Sequence, residues 1–69
     1  MKIADVLDLY SKNCYRINVE WDSYFPVISL YFRDSMVFPT ISEVREDVGS
    51  INIRSWNEQE NLLELELNR

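Results

Sequence analysis

The sequence contains no histidine and only one glycine. Histidine is the commonest general base and metal ligand in proteins, and its absence removes the catalytic triads that need an imidazole. A single glycine cannot form the glycine-rich loops that hold phosphate groups. The carboxylates that are left as metal ligands lack the spacing of a calcium-binding loop, which also requires a glycine. We therefore expect a protein that is not an enzyme and that binds no metal or cofactor.

The single cysteine, Cys14, excludes an intramolecular disulfide and with it the disulfide-rich class of small secreted domains. Cys14 lies between a predicted helix and a predicted strand, where we expect a small buried apolar side chain. Asp5 and Asp8 interrupt the apolar stretch that an N-terminal signal peptide needs. No segment reaches the ~18 consecutive apolar residues of a membrane span. These features predict a cytoplasmic protein that does not enter a membrane.

Twelve acidic residues stand against seven basic ones, which gives a net charge of −5. Affinity for nucleic acids and anionic membranes depends on contacts from Lys and Arg to phosphate, so we expect no direct binding to either. A protein partner with a basic surface suits this charge better. Because the chain has 69 residues and 46% of them are hydrophobic, residues 1–69 are predicted to form a single small acidic domain with a packed core.

Alternation of apolar and polar residues predicts strands along much of the chain. The clearest pattern covers residues 15–22, and a turn then leads to a second strand at 27–33. Residues 50–56 and 61–68 repeat the alternation. A further short strand is predicted at 36–39, where a terminal proline restricts it to an edge or a strand end. The side chains predicted to face the core are Tyr15, Ile17, Val19, Trp21, Ile28, Leu30, Phe32, Ile51, Ile53, Leu63, Leu65 and Leu67.

Two segments have helical periodicity. Apolar residues recur at spacings of three and four in residues 2–12 and again in residues 40–48, where Thr40 followed by Glu43 forms the pattern of a capping box. The valines of the second segment also suit a strand, so both interpretations stay open there. An apolar sheet face and two amphipathic helices predict an α+β two-layer sandwich. It would contain a mainly antiparallel four- to five-stranded sheet, an N-terminal helix and a short middle helix.

Two groups of side chains are candidates for a partner-binding surface. Glutamates near the C-terminus could attract a basic partner, although a solvated sheet face that keeps a small protein soluble is the simpler explanation of them. Arg54 is predicted to pair with one of these glutamates across neighbouring strands. Aromatic residues in a turn, on the outer sheet face and at a strand end could anchor an interface, or could pack at the rim of the core. The candidate residues are Tyr24, Phe25, Tyr31, Trp56, Glu58, Glu60, Glu64 and Glu66.

These features favour a non-catalytic protein-binding module, namely a small acidic inhibitor or regulator of a larger protein or nucleoprotein. In size and charge the chain is similar to the immunity proteins, adaptors and small inhibitors of bacteria and phages, which is an analogy of general character only. Two alternatives stay open. One is a structural homo-oligomer, such as a homodimer, that pairs through a sheet edge at residues 36–39 or at the C-terminal strand. The other is an acidic mimic of nucleic acid that blocks a basic site.

Overall fold

The computed structural model describes residues 3–21, 26–49 and 51–66. The elements in chain order are α1 (Ile3–Tyr10), β1 (Cys14–Glu20), β2 (Val27–Phe32), α2 (Ile41–Val48), β3 (Asn52–Asn57) and β4 (Leu62–Glu66). A short 3-10 helix at Ser11–Asn13 joins α1 to β1. The predicted α+β class is confirmed, and the middle segment is a helix. No helix in the described ranges is long and apolar enough to cross a membrane.

The four strands form one antiparallel sheet in the order β1-β2-β4-β3. Within the described part of the chain, β1 and β3 are therefore the edge strands, and β4 lies between β2 and β3. The prediction that the C-terminal strand offers a free sheet edge is wrong, because both edges of β4 are hydrogen-bonded to neighbours. Of the described strands, only β1 and β3 could extend the sheet into a homo-oligomer.

The short strand predicted at residues 36–39 is also wrong, because this segment is a turn followed by irregular chain. The carboxylate of Asp34 accepts hydrogen bonds from the backbone N–H groups of Met36 (2.9 Å) and Val37 (3.3 Å). Such local side-chain bonds satisfy backbone donors that a strand would otherwise direct to a neighbour. Phe38 then packs against the core and Pro39 is buried. In the described residues the sheet therefore has four strands.

Helix α2 has a defined start and end. The hydroxyl of Thr40 accepts a hydrogen bond from the backbone N–H of Glu43 (3.2 Å), which is the N-terminal half of the predicted capping box. Gly49 follows the last turn with a φ of 60°, a conformation that a side chain disfavours. Between these caps, Val44 and Val48 are fully buried. This placement settles the open choice for residues 40–48 in favour of a helix.

The core lies between the two helices and one face of the sheet. The buried side chains that form it are Val6, Tyr10, Cys14, Ile28, Leu30, Phe32, Val44, Val48, Leu63 and Leu65. The ring of Phe32 lies edge-to-face with Tyr10 (centroids 5.6 Å apart) and with Phe38 (5.4 Å). The Tyr10 hydroxyl donates a hydrogen bond to the Asp47 carboxylate (2.9 Å) and so joins α1 to α2. Leu67, which was also predicted to face inward, lies outside the described residues.

The inward alternation predicted for the first strand is only partly correct. Tyr15 and Trp21 were expected to face the core, but their side chains are 68% and 67% exposed. The pairing of β1 with β2 shifts register between Cys14 and Arg16, which marks a β-bulge. The bulge allows Cys14 and Ile17, three positions apart, to lie on the same face, and it removes Tyr15 from the alternation. Trp21 follows the last residue of β1 that pairs with β2.

Replacing Leu63 with Ala tests the core assignment. Leu63 is fully buried, so the substitution should lower the free energy of unfolding by about 2–5 kcal/mol through lost contacts and the cavity left behind. Leu9→Ala is the matched control, because the Leu9 side chain is 41% exposed, and it should cost less than about 1 kcal/mol. Urea unfolding measures both changes. Equal losses in the two variants would contradict the assignment.

The contact of Tyr10 with Asp47 predicts a specific dependence of stability on pH. Burial, followed by the hydrogen bond to Asp47 and the negative charge of that carboxylate, raises the pKa of Tyr10 above the ordinary tyrosine value. A folded-state pKa above the unfolded value of about 10 means that this stabilisation is complete below pH ~10 and is lost as the pH rises further.

Tyr10→Phe should therefore be less stable than the wild type by about 1 kcal/mol at neutral pH. The difference should shrink as the pH rises above about 10. Urea unfolding of both proteins between neutral and alkaline pH measures this difference. A gap that stays constant over the whole range would show that Tyr10 is not the group responsible.

Candidate partner-binding surface

The sheet face opposite the helices is the candidate binding surface, and we call it the outer face. Its side chains form three rows that cross β1, β2, β4 and β3 in that order. The rows are Arg16, Tyr31, Leu62 and Asn57; then Asn18, Ser29, Glu64 and Ser55; then Glu20, Val27, Glu66 and Asn52. One end of the outer face is therefore aromatic and apolar, and the opposite end carries carboxylates.

The aromatic end is built around Tyr31 of β2. The ring of Tyr15 lies 6.0 Å from that of Tyr31, and the guanidinium carbon of Arg16 lies 5.4 Å above the Tyr31 ring centroid. The latter distance is within the range of a cation–π contact. Tyr31 is half-buried by this arrangement, whereas Tyr15 is largely exposed. The β-bulge in β1 thus leaves an aromatic ring and a cation next to each other at the surface.

The acidic end is organised by β4. The Ser29 hydroxyl donates a hydrogen bond to the Glu64 carboxylate (3.3 Å), and Ser29 itself is only 5% exposed. Val27, in the next row, is also buried, between Glu20 and Glu66 of the neighbouring strands. The longer acidic side chains therefore form the solvent-facing layer at this end.

The predicted pairing of Arg54 with Glu64 or Glu66 does not match the register. The pairing of β3 with β4 shifts between Ile53 and Ser55, so Arg54 lies in a second β-bulge. Glu64 stands opposite Ser55, and Glu66 stands opposite Asn52. The register thus places uncharged side chains of β3 opposite both carboxylates.

Glu58 and Glu60 lie in the exposed turn between β3 and β4, at a distance from the acidic end of the outer face. The Asn57 side-chain carbonyl accepts a hydrogen bond from the Glu60 backbone N–H (3.2 Å), and the Asn57 amide donates one to the Glu60 carboxylate (3.3 Å). Asn61 completes the turn with a φ of 54°, and its carbonyl accepts a hydrogen bond from the Phe32 N–H (2.9 Å). Glu60 therefore has a structural part in the turn.

Trp56 packs at the edge of the core. Its indole N–H donates a hydrogen bond to the Pro39 carbonyl (2.9 Å), and its ring lies 5.7 Å from that of Phe38. This position matches the alternative interpretation of Trp56 as a residue of the core rim. Tyr24 and Phe25, the other two aromatic candidates, lie outside the described residues.

A groove of about 430 Å³ runs between α2 and the edge strand β3. Apolar side chains that include Ile41, Ile53 and Trp56 line it together with Arg45 and Arg54. This lining offers a ligand apolar contacts and two guanidinium groups. Among the described residues, no three carboxylate or thiol side chains are grouped so that they could hold a metal ion.

Of the eight candidate residues, the structure brings Tyr31, Glu64 and Glu66 together on the outer face. Trp56, Glu58 and Glu60 lie elsewhere. The chain matches no protein-family model, no curated protein and no solved structure. Its function is therefore inferred from the chemistry of its own surfaces.

The sequence predictions missed the exposure of Tyr15 and Trp21. A signal for the first was present, because Cys14 and Ile17 are both apolar and lie three positions apart. In a strand these two side chains can share a face only if a bulge lies between them. The sequence carries no comparable signal for Trp21, whose exposure depends on where the pairing with β2 ends.

Cys14 should react slowly with thiol reagents in the folded protein. Burial raises the pKa of its thiol to about 11, against a smaller opposing effect of Arg33. The raised pKa lowers the thiolate fraction at neutral pH, and burial also restricts access to the sulfur. The reaction with an aromatic disulfide reagent should therefore accelerate by more than about tenfold when urea unfolds the chain. Ser11→Cys, at an exposed position, is the control and should react rapidly without urea. Equal rates at the two sites in the folded protein would contradict the burial of Cys14.

Proposed function

We propose that the protein is a non-catalytic binding module that uses the outer face of its sheet to bind a larger protein and thereby inhibits or regulates it. The observation that carries this proposal is the Tyr15–Tyr31 pair, in which a largely exposed ring lies against a half-buried one with Arg16 stacked on it. Tyrosine and arginine are enriched at the centres of protein interfaces, where a few such anchors dominate the affinity.

The charge of the outer face supports a partner with basic groups. Glu64 lies in the row beside the aromatic end, Glu20 and Glu66 lie in the row beyond it, and the whole chain has a net charge of −5. Carboxylates in this position attract a cationic partner over a distance of about one Debye length and orient it before contact. Tyr31 and Leu62, side by side in the first row, then provide the apolar contact.

The absence of catalysis is part of the proposal. It is supported by the lack of histidine in the chain and by the buried position of Cys14, whose raised pKa disfavours the nucleophilic thiolate. A chain of this size without such groups can act by occupying the surface of a larger protein. The free thiol also supports a cytoplasmic location, because reducing compartments keep cysteines unpaired.

The outer-face proposal is tested by quantitative capture with matched variants. The tagged protein is used to capture partners from the cells that produce it, and the captured proteins are quantified by mass spectrometry. Tyr31→Ala should reduce the recovery of the main partner roughly tenfold or more, as expected for an anchor. Glu64→Gln combined with Glu66→Gln should reduce it several-fold, more strongly at low salt.

Glu46→Gln is the control, because it removes one carboxylate from an exposed position on α2 and leaves the outer face intact. Circular dichroism establishes that each variant is folded. Recovery that is unchanged by Tyr31→Ala would refute the outer-face site. If partner recovery falls equally for each carboxylate removed, including that of Glu46, the result would instead favour the hypothesis that the protein mimics nucleic acid.

A further inference from the structure

The edge strand β1 and its flanking residues have a self-complementary sequence. Residues 15–21 read Tyr-Arg-Ile-Asn-Val-Glu-Trp. The two halves are arranged symmetrically about the central Asn18. A β-branched residue lies next to it on each side, followed by Arg on one side and Glu on the other, and then by an aromatic residue on each side. Opposite charges at equivalent distances from one point are the pattern that two copies of a strand need if they are to pair antiparallel.

The structure leaves this segment available. In the described ranges, β1 is hydrogen-bonded to β2 on one side only, and the backbone groups on its other side can pair with a further strand. Ile17 and Val19 lie on the core side of β1 but are only half-buried. The exposed rings of Tyr15 and Trp21 flank the strand at its two ends. A strand added beside β1 would cover apolar surface that the fold itself leaves open.

Backbone geometry limits the registers that such a pair can adopt. Along a strand, the backbone N–H and C=O groups of successive residues point alternately to the two sides. In an antiparallel pair, two directly opposed residues either both point these groups toward the other strand or both point them away from it. When two copies of β1 pair symmetrically, the two-fold axis must therefore pass through a residue position and cannot lie midway between two residues. An axis at Ile17 would set the buried Cys14 opposite Glu20. An axis at Val19 would set Asn18 opposite Glu20 and Arg16 opposite residue 22, which follows the end of β1 and lies outside the described residues.

We propose that β1 pairs antiparallel with β1 of a second copy of the chain, about a two-fold axis at Asn18. In this register Arg16 lies opposite the partner's Glu20 and Ile17 lies opposite the partner's Val19. Tyr15 and the partner's Trp21 lie at each end of the pairing. The two four-stranded sheets become one continuous sheet of eight strands, with both outer faces on the same side.

The other edge strand is less suited to this role. The bulge in β3 lies between Ile53 and Ser55, in the middle of the strand, and interrupts the regular spacing of its backbone groups. The bulge in β1 lies between Cys14 and Arg16, at its beginning, and leaves residues 16–20 regular. Arg54 is also the one charged residue in the sequence of β3, so two copies would bring like charges near each other. The homodimer is therefore assigned to β1.

Charge-swap variants test the register directly. Sedimentation equilibrium should show a wild-type dimer that dissociates on dilution within about 10 μM to 1 mM, as expected for a small interface. Arg16→Glu sets two glutamates opposite each other, and Glu20→Arg sets two arginines opposite each other. Each variant alone should dimerise at least tenfold more weakly, because two attractive cross-strand pairs become repulsive.

An equimolar mixture of Arg16→Glu and Glu20→Arg should recover association to within about threefold of the wild type, because every opposed pair then carries opposite charges. Loss of the Arg16 contact with Tyr31 cannot produce this recovery, because that contact lies within one chain. A wild type that is monomeric at all concentrations overturns the proposal. So does a mixture that associates no better than its two components.

Disulfide trapping gives a second test that does not depend on charge. In the proposed register the two copies of residue 18 face each other with Cα atoms about 4.5–5.5 Å apart, within the range that a disulfide spans. Asn18→Cys should therefore form a covalent dimer under mild oxidation.

Glu20→Cys is the matched control on the same strand face. Its two copies would be separated by four residues along the strand, or roughly 13 Å, and should stay largely monomeric. Equal cross-linking of the two variants, or preferential cross-linking of Glu20→Cys, would overturn the register. The test is independent of the outer-face proposal, whose key variants lie on β2 and β4, so either proposal can fail without the other.

Discussion

The fold depends on the burial of one face of β2 and β4. These two strands lie in the middle of the sheet, and their inward side chains, Ile28, Leu30, Phe32, Leu63 and Leu65, are almost completely removed from water. Helices α1 and α2 have only eight residues each, a length at which an isolated helix is not stable in water. They form because the sheet offers an apolar surface for Val6, Tyr10, Val44 and Val48. The sheet in turn needs the helices, because its inner face would otherwise be exposed.

Long-range polar contacts fix the elements around this core. The Tyr10–Asp47 hydrogen bond connects the two helices, and the Trp56–Pro39 bond ties β3 to the segment before α2. Both donors belong to aromatic side chains whose rings pack on Phe32 or Phe38. Each therefore contributes apolar contact and a directional bond at once. In a domain this small, such dual use of a side chain compensates for limited core volume.

Most of the secondary structure could be predicted from the sequence, because local periodicity and capping determine it. The helix at residues 40–48 follows from the Thr40 cap and the spacing of its valines, and the alternation in β2 and β4 identifies their buried faces. The strand order could not be predicted, because the insertion of β4 between β2 and β3 depends on pairing between distant segments. The strand at residues 36–39 was wrongly predicted because the Asp34 carboxylate bonds the backbone N–H groups that a strand would direct to a neighbour.

The candidate surface could likewise be predicted only in part. Tyr31, Glu64 and Glu66 lie together because alternation held in β2 and β4, where no bulge occurs. The bulges in β1 and β3 defeated the same reasoning at Tyr15 and Arg54. Two β-bulges, one on each edge strand, thus account for the main differences between the predicted and observed outer face.

The turn between β3 and β4 sets a limit on how this chain can change in evolution. Asn61, at the end of that turn, also bonds to the backbone of Phe32, so one residue fixes the position of β4 against both of its neighbours. A length change in the turn that made β4 slip by one residue would exchange the roles of Leu63 and Leu65 with those of Glu64 and Glu66, which would place carboxylates in the core and leucines in water. Substitutions in this turn should be tolerated far better than changes in its length.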